Sequence, residues 1–157
     1  SDGGTILTLF LMFIGGSPGS TAGGIKTTTI AVLLLDTIAT ATMQSSINIH
    51  KRKLDDAMVK RASAIAIVYG FGIMVASFAI YALEPFGMKE TLFEVTSAVG
   101  TVGLSMGITP QLCSVSRLIL MLMMFAGRVG GLSFVLLLGE KRKGRVTELP
   151  TENILIG

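Results

Sequence analysis

The stretch MKETLFEVTSAVGTVGLSMG (88–107) decides how the chain is to be read. Its first twelve residues, 88–99, would make a helix about 18 Å long. That length dips into a membrane but does not cross a hydrocarbon core of about 30 Å. A Gly/Thr/Ser run without any charge follows at 100–107. Irregular backbone of this kind is tolerated at membrane depth only where protein or a polar cavity surrounds it. The same pattern stands upstream: a short apolar segment TILTLFLMFI (5–14), then the glycine-rich turn GGSPGSTAGGIK (15–26). A longer apolar stretch follows each turn, 25–49 in the first copy and 117–139 in the second. Aligning the copies sets Ser20-Thr21-Ala22-Gly23-Gly24 against Gly100-Thr101-Val102-Gly103-Leu104.

Outward from these turns lie runs of spanning length. Residues 62–83, ASAIAIVYGFGIMVASFAIYAL, carry no charge. As a helix they extend about 33 Å, enough to cross a bilayer. Residues 118–139 form a second run with one charge, Arg128, about 16 Å from Arg117 and so near the bilayer middle. The middle of the 27–49 stretch, DTIATATMQSS, is weakly hydrophobic and reads as a broken helix or a loop. The repeating unit is therefore outer helix, re-entrant helix, turn, inner helix. The first copy lacks its outer helix, and one is expected ahead of residue 1.

Composition agrees. Half of the 157 residues are apolar and only 15% are charged, against about 25% in soluble domains. Mean hydropathy is +0.71. Disorder is excluded, because so much apolar surface does not stay solvated. The single Cys113 and single His50 exclude disulfide staples, thiol clusters and multi-histidine sites. Gly19 and Gly24 have P-loop spacing, but Ile25 separates Gly24 from Lys26, and the motif needs G-K-[ST] unbroken. No Ser-His-Asp set can be built around one histidine in a basic connector, so no enzyme is expected.

The turns suit an ion filter. Glycine lets successive carbonyls point to one axis, and carbonyl oxygens replace the hydration shell of a monovalent cation. Neither turn contains a carboxylate, which disfavours a dehydrated divalent ion. Close helix packing by small residues is the competing reading. Arg128 must face protein or water, partnered by carbonyls or acids, with Asp36 one candidate. It reads either as a positive charge limiting a cation pathway or as a tie between helices. Gly127, Gly130 and Gly131 permit close backbone approach or a bend. Lys26 reads as a brace of the filter or as a residue of the outer interface.

Charge sets orientation. Lys51, Arg52, Lys53, Lys60 and Arg61 precede the 62–83 run, and Lys141, Arg142, Lys143 and Arg145 follow the last. Both clusters face the cytoplasm by the positive-inside rule, and both turns then open outward. A solvated cytoplasmic rim accounts for the basic runs, and no nucleic acid is required.

GGSPGSTAGGIKTTT (15–29), SAVGTVGLS (97–105) and MFAGRVGGLSF (124–134) together resemble the third and fourth pore units of the Trk/Ktr/HKT superfamily, nearest the Ktr-type membrane subunit of bacterial potassium uptake systems. The resemblance covers the whole chain. It implies an all-α polytopic membrane protein of four M1–P–M2 units around one potassium-channel-like pore. Here 1–50 would be the third unit's P-helix, filter turn and M2, and 51–61 a cytoplasmic connector. Residues 62–139 would be the whole fourth unit and 140–157 a cytoplasmic tail. The first two units of the polypeptide would be missing. The resemblance places the filter at Ser20, Thr21, Ala22, Gly23, Gly100, Thr101, Val102 and Gly103, and the gate at Arg128 and the Asp36–Ser46 region. It implies K+ as the transported ion, Na+ as an activator in many members, and a homodimer in the plasma membrane. It also implies a cytoplasmic nucleotide-binding regulatory ring, with no nucleotide on this chain.

The reading is potassium uptake through a channel-like pore. The alternatives are an alternating-access cation transporter with broken helices and a membrane scaffold whose glycines pack helices.

Overall fold

The computed structural model describes residues 2–43, 48–49, 52–53 and 55–130. Five α-helices account for most of them: α1 (Asp2–Phe13), α2 (Thr27–Ala41), α3 (Asp56–Leu83), α4 (Met88–Gly100) and α5 (Ser114–Val129). A 3-10 turn, Thr109–Gln111, precedes α5. Among the described residues the departures from all-α are a small antiparallel ribbon, β1 (Asn48–Ile49) with β2 (Arg52–Lys53), at the start of the connector, and an isolated parallel bridge between Ile14 and Ile25.

α3 is the long helix. Asp55 caps its start by accepting from the Ala57 amide at 3.1 Å, which satisfies one orphan donor of the first turn. It ends at Glu84, where the backbone turns extended ahead of Pro85. Its apolar part, Ala57–Leu83, is long and apolar enough to cross a membrane. Lys60 and Arg61 therefore lie within its first turns rather than in a loop. Tyr69, Ile73, Ala76 and Ile80 recur at helical spacing and are buried. They pack with Val95, Ala98 and Val99 of α4 and Leu120 of α5. The opposite face carries Ile67 and Phe71, 69% and 70% exposed. A soluble helix would be polar there. A helix apolar on both faces is consistent with an α-helical chain whose outer solvent is lipid.

α4 is the most enclosed helix, with Phe93 to Gly100 all buried. It sits between α3, α5 and the end of α1 and is too short to span. The sequence boundary at Val99 falls one residue short of its end.

Two other boundaries shift. α2 runs unbroken through Asp36 to Ala41, although DTIATATMQSS reads as broken. The Thr37 and Thr42 hydroxyls bond back to the Leu33 and Ile38 carbonyls at 2.8 Å, which hides their polarity within the helix. The helix then stops at Thr42 and Met43, the latter at φ +53°. α5 begins at Ser114, ahead of the apolar run, and ends before Gly130 at φ +89°. Gly131 and the basic cluster Lys141–Arg145 lie outside the described residues.

Candidate functional site

The site forms where the two short helices, lying side by side in the same direction, bring their C-termini together. A Cβ on Gly100 would lie 2.9 Å from the Met12 carbonyl oxygen, and one on Gly24 would lie 3.4 Å from Gly100 Cα and 3.7 Å from the Phe13 oxygen. The C-termini of α1 and α4 thus converge. Each carries the negative end of its helix dipole, and neither has a basic side chain in its last turn. Two partial negative charges face one place.

From α4 the chain leaves through Thr101, held at φ +52°. The Thr101 amide donates to Ala98 O at 3.1 Å and the Val102 amide to Ser97 O at 3.0 Å. These two bonds satisfy carbonyls that would otherwise be orphaned. A left-handed threonine is strained, and its hydroxyl is used: Oγ1 accepts from the Gly23 amide at 2.8 Å. This bond ties the two turns together. Gly103 follows at φ +81° with nothing near its Cβ position.

Counting from the helix ends gives a second pairing of the turns. After α4 come Thr101, Val102 and Gly103. After α1 come Ile14, Gly15 and Gly16, the same count from the helix end though not the same backbone, since Thr101 and Gly103 have positive φ and Ile14 and Gly16 do not. Ser20–Gly24 belong to the return limb. The chain turns between Ser17 and Ser20 (N to O 3.1 Å) with Gly19 at φ +81°. Past Gly24 the chain lies beside the outgoing limb in a parallel bridge between Ile14 and Ile25, where the Gly15 amide donates to Ile25 O at 2.7 Å. Glycine is required at Gly15, because a Cβ there would collide with the Gly23 oxygen.

The return-limb carbonyls face the protein's own cations. Lys26 Nζ donates to Ala22 O at 2.6 Å and to Ser20 O at 3.3 Å. Arg128 Nη1, reaching from the end of α5, donates to Thr21 O. So Lys26 lies against the first turn. Arg128 takes a carbonyl rather than Asp36, which has no ion pair among the described residues. Asp36 sits half-buried on α2. At Gly127 a Cβ would collide with the Val99 carbonyl, so α5 touches the end of α4 backbone to backbone.

Sequence reasoning missed one residue. Glu94, 5% exposed, accepts from the Ser105 hydroxyl and the Met106 amide on Oε1 at 2.6 and 2.9 Å, and from the Thr109 hydroxyl on Oε2 at 2.6 Å. The available signal was a carboxylate in the part of α4 beyond Lys89 and Glu90, eleven residues before a serine. A cavity of about 620 Å³ opens beside it, lined by Glu94, Ser97, Thr101, Gly103, Ser105 and Arg128 among others. At the far end of α3 Glu84 accepts from the Cys113 amide at the start of α5, at 2.7 Å. That hydrogen bond holds its carboxyl below the usual carboxylate range, helped by the Ser116 and Cys113 side chains. Lys89 pairs with Asp2, joining the starts of α4 and α1. Among the described residues no group of His, Cys, Asp and Glu could hold a metal ion.

Comparison with known proteins shows the family. The chain is 38% identical over its whole length to Ktr system potassium uptake protein D of Bacillus subtilis, covering 35% of that protein. It is 39% identical, again over its whole length, to potassium/sodium uptake protein NtpJ of Enterococcus hirae, covering 36%. Ktr system potassium uptake protein B of Vibrio alginolyticus matches at 30% over 97% of the chain and 33% of its own length. The chain thus spans about a third of the length of these curated relatives. The profile of the TrkH cation transport proteins matches residues 1–145, and transporters of this kind are not enzymes. The chain belongs to the TrkH family of cation transport proteins, within the Trk/Ktr/HKT superfamily.

Proposed function

We propose that this chain supplies two of the pore turns of a protein that conducts potassium inward through a channel-like pore. The observation that carries the reading is the convergence of the α1 and α4 C-termini, without basic residues in their last turns, on glycine-rich backbone. Two helix dipoles then offer negative potential where a dehydrated cation would pass. The names of the relatives, potassium uptake proteins in Bacillus subtilis and Vibrio alginolyticus, point to the same ion. The Enterococcus hirae relative is a potassium/sodium uptake protein, so sodium is the competing ion to test.

In this reading Thr101, Val102 and Gly103 form the filter segment of one turn and Ile14, Gly15 and Gly16 that of the other. Ser20, Thr21, Ala22 and Gly23 buttress them from the return limb, since Lys26 and Arg128 already occupy the carbonyls of residues 20–22. A second cation there would be repelled by the first. Entry is driven by the membrane potential, about 2.3 kcal/mol per charge per 100 mV. Both turns open outward, and the C-terminus is cytoplasmic. Arg128 and α2 around Asp36 form the gate, which a cytoplasmic nucleotide-binding ring moves on a homodimer. Sodium acts as an activator of this assembly.

The test is rubidium or potassium flux in proteoliposomes of the full-length protein, comparing wild type with Gly103→Ser. Potassium-preferring flux that loses its preference in the variant is the expected result. Unchanged preference with intact assembly would return the glycines to helix packing.

A further inference from the structure

We propose that Glu94 is a positioning residue whose carboxylate fixes the course of the 101–109 turn, and through it the ion preference of the pore. The inference rests on the pore reading above. Within this chain the turn has little else to hold it. Residues 101–107 are all exposed, and Gly103 and Gly107 have φ of +81° and +91° with nothing within 4 Å of their Cβ positions. Glycine at such places costs ordering entropy that packing does not return. The near end of the turn is pinned by the bonds from Thr101 and Val102 into the last turn of α4. The far end is pinned by Glu94 alone among acidic side chains, through three donors spread over Ser105, Met106 and Thr109. The Ser105 hydroxyl passes the constraint on by accepting from the Gly107 amide at 2.8 Å.

The arrangement mirrors the first turn with the charges reversed. There the cations Lys26 and Arg128 clip carbonyls; here an anion clips donors. Glu94 has no ion pair among the described residues, so hydrogen bonds are what it contributes. Hydrogen bonds to a charged acceptor are the stronger kind, and they lie on a helix that is buried from Phe93 to Gly100. The brace is therefore anchored in a rigid element and acts on a flexible one.

A conservative variant separates position from charge. In Glu94→Gln the amide oxygen still accepts from Ser105 and Met106. The amide nitrogen faces the Thr109 hydroxyl, which can accept as well as donate. Geometry is kept and charge is lost. Glu94→Ala loses both.

The experiment is potassium and sodium flux per folded molecule, in proteoliposomes of the full-length protein that carries this segment. If wild type shows no potassium preference, the pore reading itself fails, whatever Glu94 does. Given that preference, Glu94→Ala is expected to reduce it about tenfold while Glu94→Gln stays within about threefold of wild type, as loss against retention of three hydrogen bonds predicts. Wild-type preference in Glu94→Ala would overturn the proposal. So would equal loss in Glu94→Gln, which would assign the effect to charge. A purely structural role would lower the yield of folded protein and leave preference per molecule unchanged. Should Glu94→Ala fail to fold, Ser105→Ala/Thr109→Ala decides: it removes two donors from outside the helix, and an unchanged preference overturns the proposal equally.

Discussion

Glycines in this chain do two different jobs, and substitution should tell them apart. At Gly127 a Cβ would collide with the Val99 carbonyl. Gly127→Ala must push α5 off the end of α4. We expect a loss of about 1–3 kcal/mol, the usual cost of overpacking, seen as a lower midpoint in a detergent melt. At Gly103 there is space, but φ is +81°. Gly103→Ala strains only the backbone, by about 1–2 kcal/mol. It should leave assembly intact while changing ion preference in the flux assay. The sequence marks both as glycine without ranking them, because clearance depends on a neighbour far along the chain. Lys26 shows the same limit. Its brace and interface readings stand level in the sequence, whereas the folded chain puts its ammonium on two carbonyls of the first turn. Lys26→Met keeps the stem and removes both bonds. It should cost about 1.5–3 kcal/mol, the range for a hydrogen bond to a charged group, measured in the same melt.

Between elements, the joints are hydrogen bonds from one helix end to the next. Glu84 closes α3 and caps α5 through the Cys113 amide. That bond lowers its pKa below the ordinary 4.5. A carboxyl with a depressed folded pKa stabilises the native state above its unfolded pKa and loses that contribution as pH falls through the folded value. The melting difference between wild type and Glu84→Gln should therefore be present at neutral pH and vanish as pH drops below the carboxylate range. It should also be small, since the group is exposed and screened by water. A difference that grows on acidification would contradict this role. Helix existence was legible from length and apolar content for α1, α3 and α4. The course of α2 through Asp36 was not, because back-bonded threonines carry a polar composition into a regular helix.

For the whole molecule, orientation gives the sharpest test. Cys113 is the single cysteine and is exposed at the start of α5. If both turns open outward, a membrane-impermeant thiol reagent should label it in right-side-out vesicles and fail to do so in inverted ones, with any other cysteines of the full-length protein removed. If the chain carries only two of the pore turns, it should not by itself conduct selectively in liposomes. Potassium-selective flux from the isolated chain would refute the shared-pore reading. The repeat of short helix, glycine turn and longer helix was legible in the sequence, and its register can be counted in two ways. Aligning the glycine clusters pairs Ser20–Gly24 with Gly100–Leu104, whereas the helix ends pair Ile14–Gly16 with Thr101–Gly103.

The sequence by itself determined the helical membrane class, the two-copy pattern and the family, since these follow from hydrophobic run length and from motifs that are local in the chain. Tertiary structure alone decided which backbone each charge meets. Arg128 reaches Thr21, the Gly23 amide reaches Thr101, and Glu94 gathers three donors of the following turn. The physical reason is that glycine and hydroxyl residues in irregular backbone have no periodicity to reveal their direction. Their partners are set by how two helix ends are brought together, and that is a property of packing rather than of spacing.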